Sequence, residues 1–199
     1  MRKLLTGLRI LAFCAMTTLL FAAPGSSQFM ELRPNLRPFG AFNLGIVTDS
    51  STGVKQLRFS TRSWNSGAGP LELRAGQVDS TGQKVYQRVY NSDGTYNDSL
   101  AGTFVYHPFH NHFHFNGYAR YDLRPINAPG GSPKSGSKTT FCVMDTNAIN
   151  TSLPGAPQTA VYSVCGNTIQ GMSVGWADTY GYQLEGQSID ITGNPSGDY

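Results

Sequence analysis

The sequence predicts an all-β fold, an irregular β-sandwich or barrel-like single domain with long loops. Glycine (23) and proline (11) are spread along the chain, and no long segment carries a helical apolar stripe. Short β-branched and aromatic runs recur between turn signals. The chain of 199 residues is long enough for one domain with a substantial core and short for two.

The strands predicted by these runs follow one another along the chain. They cover residues 56–60, 70–74, 84–90, 103–106, 113–123, 139–143 and 188–192. Residues 91–94, Asn-Ser-Asp-Gly, have the composition of a turn that joins neighbouring strands. Residues 125–138 are rich in Gly, Ser and Pro and predict an exposed loop.

The first residues have the pattern of a secretory signal. Basic residues precede an apolar run at 10–23, and small residues follow at Ala23 and Gly25. We therefore expect a signal peptide over residues 1–25 and a mature domain over residues 26–199. The apolar run is too short to cross a bilayer comfortably. The sequence thus predicts a secreted protein, periplasmic in a Gram-negative source, with no membrane attachment after cleavage.

Removal of residues 1–25 changes the charge balance. The whole chain has 15 Lys and Arg residues against 12 Asp and Glu residues, a net charge of +3. The first 25 residues contain three of the basic residues and no acidic one, which leaves 12 residues of each sign. Nucleic-acid binding needs a concentrated basic surface, so we expect no nucleic-acid partner.

The cysteine content agrees with export. Cys14 lies in the predicted signal peptide, so the mature domain retains Cys142 and Cys165. Two cysteines in an exported domain usually pair, and such a bridge would stabilise the fold by about 3 kcal/mol. The alternative, two free or metal-binding thiols, is less favoured because neither residue belongs to a CxxC spacing.

All four histidines of the chain fall between positions 107 and 114. On an extended strand His110, His112 and His114 would project from one face, with α-carbons about 6.6 Å apart at each step. Three such imidazoles predict a metal site. Copper, zinc, iron and nickel all suit imidazole, and three histidines with an open position also describe catalytic zinc. His107 is odd in register and precedes Pro108, so we expect it to support the site rather than bind metal.

The residues around this cluster resemble the lysyl oxidase family. Residues 106–115, Y-H-P-F-H-N-H-F-H-F, resemble the copper motif of that family, and an aromatic strand follows. The resemblance covers residues 32–199 and its motifs occur in the family's order. The other matching segments are P-N-L at 34–36, L-R-F at 57–59, K-T-T-F-C-V-M-D-T at 138–146, D-T-Y-G at 178–181 and I-D-I-T at 189–192.

The resemblance implies a copper-dependent enzyme with a cofactor made from its own side chains. Copper would be held by His110, His112 and His114, and Lys138 and Tyr180 would be joined as lysyl tyrosylquinone. The implied reaction is oxidative deamination of primary amines, either peptidyl lysine or small amines. It consumes O₂ and yields aldehydes, ammonia and hydrogen peroxide. Asp178, two residues before Tyr180, is a candidate general base.

The chain also departs from the family pattern. Vertebrate members have two further cysteines at the positions of Ala148 and Gly186, whereas Cys142 and Cys165 match the family's other local pair. The family continues past the segment that matches residues 197–199, so we expect the domain to be incomplete at its C-terminus.

Two other functions remain open from the residues alone. A three-histidine hydrolase with zinc-activated water would need neither Lys138 nor Tyr180. A non-catalytic copper-binding module would bind the metal without turning over an amine.

Overall fold

The computed structural model describes residues 29–80, 82–127, 130 and 132–199, and the predicted signal peptide lies outside these residues. The described residues form β-strands and loops without a helix, so none of them forms a helix able to cross a bilayer. The strands are β1 (Glu31–Leu32), β2 (Leu36–Pro38), β3 (Phe42–Thr48), β4 (Lys55–Asn65), β5 (Leu71–Asp79), β6 (Gly82–Asn91), β7 (Tyr96–His107), β8 (His112–Asn116), β9 (Asp122–Leu123), β10 (Lys134–Ser135), β11 (Thr140–Phe141), β12 (Asn147–Ala148), β13 (Ile169–Met172), β14 (Trp176–Tyr180) and β15 (Ser188–Asp190).

The first sheet is built on an antiparallel meander. Its strand order is β11-β8-β7-β6-β5-β13, and β1 pairs with β6. Alternating residues of these strands bury their side chains on one face, as the two-residue period of a strand requires. Together with Val143, which follows β11, these side chains form a buried cluster of Leu71, Leu73, Val85, Phe104, Phe115, Val143 and Met172.

The second sheet is organised around the long strand β4. Strands β2, β3, β14 and β15 all pair with β4, and β12 continues the sheet beyond β14. β14 lies antiparallel to β4, with Tyr180 opposite Thr61 and Asp178 opposite Ser63. Within the described residues the sheets stay open and do not close into a barrel. The all-β prediction is confirmed, in the form of an irregular arrangement of open antiparallel sheets.

Several connections cross between the two sheets, and the one that follows β11 lies beside the candidate site. β11 pairs with β8 and β12 pairs with β14, so the residues between them connect the two sheets. Asp145 fixes this crossing: its carboxylate accepts hydrogen bonds from Ser173 N at 2.8 Å, Ser173 Oγ at 2.7 Å and Val161 N at 2.9 Å. Asp145 is 5% exposed, and these bonds satisfy its buried oxygens.

The predicted strands agree with the structure in place and differ in length. The expected strand over residues 113–123 ends at Asn116, because Gly117 adopts a φ of 76° that breaks the extended backbone. The amide nitrogens of Gly117 and Tyr118 then donate to Thr139 O instead of continuing the ladder. The predicted turn at residues 91–94 is confirmed, with Gly94 N donating to Asn91 O at 3.0 Å.

The predicted disulfide is confirmed. Cys142 and Cys165 are bonded, with their α-carbons 5.4 Å apart and a sequence separation of 23. Cys142 follows β11 directly, so the bridge fixes the start of the crossing segment against the loop before β13. Closing a loop of this length restricts the unfolded chain.

Replacing both Cys142 and Cys165 with serine should therefore lower the free energy of unfolding by about 3 kcal/mol. Urea unfolding of the variant and of the native protein measures the difference, and the reduced native protein should match the variant. Peptide mapping without reduction should recover the linked pair. Unchanged stability in the double variant would contradict the expectation.

Candidate active site

The four histidines lie on a β-hairpin and not on one continuous strand. β7 ends at His107, a turn follows in which His110 N donates to His107 O at 3.1 Å, and β8 begins at His112. Asn111 has a φ of 54°, a left-handed conformation that asparagine tolerates better than most residues. The expectation of a single strand carrying His110, His112 and His114 is wrong for His110, because the chain reverses direction before His112.

The hairpin nevertheless brings all four imidazoles together. His107 lies directly opposite His112, and residues opposite each other in an antiparallel pair project to the same face, as does His114 two positions on. His112 Nε2 lies 2.9 Å and His110 Nδ1 3.3 Å from His114 Nε2. His107, His110 and His114 can also present nitrogens that all lie within 4.8 Å of one another. His107 therefore lies with the other three histidines, although it is an odd number of positions away from each of them in the sequence.

Burial sets the protonation of these imidazoles. His114 is 1% exposed, and removal from water, followed by the nearby Lys138 charge, lowers its pKa to about 3. Burial also lowers the pKa of His110 and of His112. The three rings are neutral at neutral pH, which is the form that binds metal ions.

Neighbouring atoms orient two of the rings. His114 Nδ1 lies 3.1 Å from Thr140 Oγ1 on β11, which leaves His114 Nε2 directed at the other histidines. His107 stacks on His110, with ring centres 4.1 Å apart. His107 Nδ1 is buried without a hydrogen-bond partner among the described residues. Buried polar atoms normally have a hydrogen-bond partner, so this nitrogen is available for a hydrogen bond or for a metal ion.

Lys138 and Tyr180 lie next to each other beside the histidines. Tyr180 is the last residue of β14, and its hydroxyl donates a hydrogen bond to the backbone oxygen of Cys142. Lys138 Nζ lies 5.9 Å from the centre of the Tyr180 ring and 5.2 Å from the centre of the Phe141 ring. Burial lowers the pKa of Lys138, with Glu185 opposing the shift. The lysine is therefore closer to its neutral, nucleophilic form than a solvated lysine is.

Asp178 is buried on the same strand as Tyr180 and, two residues away, on the same face. It is 2% exposed, and its Oδ2 accepts a long hydrogen bond from Met144 N at 3.4 Å. Burial raises the pKa of Asp178 to about 8. Burial also raises the pKa of Tyr180, and the adjacent Asp178 charge adds to that effect. The carboxyl group therefore keeps its proton at neutral pH and can exchange it in a water-poor setting.

These side chains line one cavity of about 360 Å³, which we call the histidine cavity. Its lining includes His110, His112, His114, Lys138, Met144, Asp178, Tyr180 and Leu184. All five residues selected from the sequence as metal ligands or cofactor precursors thus contribute to a single cavity. Its lining combines imidazole nitrogens, a primary amine, a phenol and a carboxyl group.

Several residues around this cavity gave no signal in the sequence. Thr140 was visible only as part of a strand, and Glu185, whose Oε2 lies 3.6 Å from His110 Nε2, belongs to an irregular loop. Gly186 in the same loop has a φ of 73°, and a Cβ atom there would lie 3.0 Å from Lys138 Cβ. Loop side chains such as these are positioned by the tertiary fold, which no local pattern encodes.

The C-terminal part of the chain matches known proteins. A sequence model of the lysyl oxidase family matches residues 83–199, which include the histidine hairpin, Lys138, Asp178 and Tyr180. The chain is 28% identical to mouse lysyl oxidase homolog 4 over 144 residues, or 72% of this chain. It is 27% identical to human lysyl oxidase homolog 2 over 154 residues, or 76% of this chain.

A shorter match has higher identity. Over 96 residues, 48% of this chain, the bovine lysyl oxidase homolog 4 is 34% identical. These matches span 15%, 16% and 12% of the mouse, human and bovine proteins, respectively, so the chain corresponds to a minor part of each relative. The family model, in contrast, covers more than half of this chain, and its residues include the whole hairpin. The chain therefore belongs to the lysyl oxidase family.

Proposed function

We propose that this protein is a copper-dependent amine oxidase that converts primary amines to aldehydes, releasing ammonia and hydrogen peroxide and consuming O₂. The observation that carries the proposal is the shared cavity: three imidazoles, Lys138, Asp178 and Tyr180 line the same space of about 360 Å³. Membership of the lysyl oxidase family supports the same reaction. The substrate would be peptidyl lysine or a small primary amine.

The histidine group fits a copper ion. His110, His112 and His114 would hold the metal, because His112 Nε2 and His110 Nδ1 lie 2.9 and 3.3 Å from His114 Nε2. The histidines whose nitrogens all lie within 4.8 Å of one another are His107, His110 and His114, so His107 competes with His112 for the third position. Neutral imidazoles favour copper strongly among the divalent metals. His107, with its unpartnered Nδ1, is close enough to support or join this set.

Lys138 and Tyr180 fit the precursors of the quinone cofactor. A lysyl tyrosylquinone formed from them would supply an electrophilic carbonyl, which unmodified side chains lack. The lysine stem is flexible, and its nitrogen lies 5.9 Å from the centre of the tyrosine ring. The lowered pKa of Lys138 favours the neutral amine that can attack an oxidised ring.

We assign proton transfer to Asp178. Its carboxyl group borders Tyr180, is almost fully buried, and has a pKa of about 8. A pKa near the working pH suits a group that must accept and return a proton in each cycle. The ionised form of Asp178, which becomes populated as the pH approaches 8, would take the proton from the carbon next to the substrate nitrogen.

We further propose that the domain works outside the cytoplasm. The Cys142–Cys165 bond lies at the edge of the histidine cavity, and such bonds persist in oxidising compartments. The signal-like pattern of residues 1–25 supports the same location.

Replacing His112 with alanine removes one of the three converging nitrogens, so copper content should fall to the background level. His107→Ala leaves those nitrogens in place and should reduce copper affinity by about 10–100-fold. Phe109→Ala changes a side chain that is 86% exposed on the same turn and serves as the control. Metal analysis after purification gives the result. Equal losses in the two histidine variants would make His107 a ligand, and full occupancy in His112→Ala would remove the proposed site.

Lys138→Ala should abolish both the lysine–tyrosine cross-link and peroxide release from primary amines while copper binding persists, because the histidines are unchanged. Lys134→Ala, an exposed lysine on β10, is the matched control and should behave like the native protein. Mass spectrometry of tryptic peptides after copper loading in air detects the cross-link. Normal peroxide release by Lys138→Ala would reject the quinone assignment and favour the copper-only or hydrolase function.

The raised pKa of Asp178 predicts a pH-dependent stability. Between about pH 4 and pH 8 the unfolded chain has released the Asp178 proton and the folded chain has kept it, so stability falls as pH rises through this window. Relative to Asp178→Asn, which cannot titrate, the native protein should lose at most about 1.4 kcal/mol per pH unit. Urea unfolding of both proteins without metal from pH 4.5 to 8.5 measures the difference. A constant difference would show that the folded carboxyl group is already ionised.

A further inference from the structure

The part of β8 that carries His112 and His114 extends beyond its neighbouring strand, because β11 pairs with the last two residues of β8. Phe113, between the two histidines, bonds instead to the chain around β13. Its backbone nitrogen donates to Cys165 O at 3.1 Å, and its backbone oxygen accepts a hydrogen bond from Gln170 Nε2 at 2.9 Å. The side chain of Gln170 thus takes the place of a neighbouring strand at the position of the two imidazoles.

The side-chain amide of Gln170 is 0% exposed, and both its nitrogen and its oxygen are hydrogen-bonded. Besides the bond to the hairpin, Nε2 donates to Gly166 O at 3.0 Å, and Oε1 accepts a hydrogen bond from Val143 N at 3.1 Å. A buried amide bonded at both atoms is held in one orientation. Gln170 therefore links the histidine hairpin firmly to the crossing segment between β11 and β12.

A continuous line of hydrogen bonds runs through this amide from Tyr180 to the hairpin. The Tyr180 hydroxyl donates to Cys142 O. Cys142 O and Val143 N belong to the same peptide group, whose nitrogen donates to Gln170 Oε1. Gln170 Nε2 then donates to Phe113 O. Every intermediate group in this line accepts at one end and donates at the other, so the groups polarise and strengthen one another.

This line joins two parts of the candidate site that no strand pairing joins. β8 belongs to the first sheet and β14 to the second, and these two strands do not pair with each other. The distance between the tyrosine ring and the histidines therefore depends on the contacts of the crossing segment. A reacting group displaced by about 1 Å can react about 100-fold more slowly. Gln170 does not line the histidine cavity, so it would act through the backbone that it holds.

We propose that Gln170 is a positioning residue for formation of the lysine–tyrosine cofactor, because its side-chain amide sets the distance of Tyr180 from the histidines. The inference rests on the proposed amine oxidase function. The imidazoles have their own supports, since β7 pairs with β8 and His114 Nδ1 lies 3.1 Å from Thr140 Oγ1. Loss of the Gln170 amide should therefore spare copper binding and impair cofactor formation.

Gln170→Glu tests this separation, because an ionised carboxylate keeps the size and the acceptor of the amide but cannot donate. Copper content should stay at the native level, whereas the yield of the lysine–tyrosine cross-link per bound copper should fall at least about tenfold. Metal analysis and mass spectrometry of tryptic peptides after copper loading in air give this ratio.

Asn65→Asp is the matched control. Asn65 is also 0% exposed, and its side-chain nitrogen donates to two backbone oxygens, Gly69 O at 2.9 Å and Met172 O at 3.2 Å, neither of which lies on the hairpin. The same change from amide to carboxylate should lower stability there as well. It should leave the cross-link yield per copper unchanged.

A spectroscopic measurement of distance separates positioning from a general loss of stability. Fluorotyrosine is incorporated into the full chain, and the fluorine NMR signal of Tyr180 is identified as the one missing from Tyr180→Phe. Copper(II) added without O₂ broadens this signal more strongly the closer the ring lies to the metal. The broadening should be weaker in Gln170→Glu than in the native protein and in Asn65→Asp. If circular dichroism shows that Gln170→Glu does not fold, Gln170→Met, an unbranched side chain without a donor, replaces it.

The proposal is overturned if the Gln170 variant retains the native cross-link yield per copper or the native broadening. It is also overturned if copper is lost in parallel with the cross-link, or if Asn65→Asp loses the cross-link to the same degree. A native protein that binds copper and forms no cross-link would reject the proposed function, and the broadening would then decide the role of Gln170. A native protein that binds no copper would overturn both.

Discussion

Burial between the β7–β8 hairpin and β14 governs the protonation of His114, Lys138 and Asp178. The same desolvation lowers the pKa of His114 to about 3, lowers that of Lys138 and raises that of Asp178 to about 8. Each group is thereby shifted towards its neutral form at neutral pH. Imidazoles free to bind a metal, an amine free to attack and a carboxyl group able to exchange a proton all follow from this single condition.

The burial of the site between the β7–β8 hairpin and β14 depends on how the two sheets are joined. Residues between β11 and β12 pass from one sheet to the other, and Asp145 and the Cys142–Cys165 bond fix that passage. Tyr180 is tied to it through the backbone oxygen of Cys142. The position of the tyrosine ring relative to the histidines therefore depends on the crossing segment more than on any direct contact between them.

The sequence predicted those parts of the protein that depend on local pattern. Short β-branched and aromatic runs between turn signals predicted the strands, and the density of histidines between His107 and His114 predicted the cluster. The role of His107 was harder to judge, because counting positions along one strand ignores a reversal of the chain. Pairing across the hairpin places His107 opposite His112 instead. Pro108 and Asn111 are residues that favour turns, and Asn111 adopts a positive φ in the structure. These two residues are the sequence feature that could have indicated the reversal.

Long-range features could not be predicted in this way. The resemblance to a family, and not the local pattern, selected Lys138 and Tyr180, which come from segments separated by the whole crossing region. Contacts such as Glu185 with His110, or the space that Gly186 leaves for Lys138, depend on how an irregular loop packs. Such loops follow from the assembled sheets, so their side chains carry no periodic signal.

The location of all four histidines on one hairpin has a consequence for the order in which the protein assembles. A hairpin closes over a short stretch of chain and forms on a microsecond scale, about 1–10 μs, well before distant strands must meet. The pairing of β14 with β4 joins residues more than a hundred positions apart, such as Thr61 and Tyr180. The hairpin, and with it the arrangement of the four imidazoles, can thus form early, while the tyrosine is still distant. The proposed copper ion, if it bound at that stage, would meet the tyrosine only when β14 pairs with β4, so the proposed oxidation of the tyrosine would wait until the surrounding protein had formed.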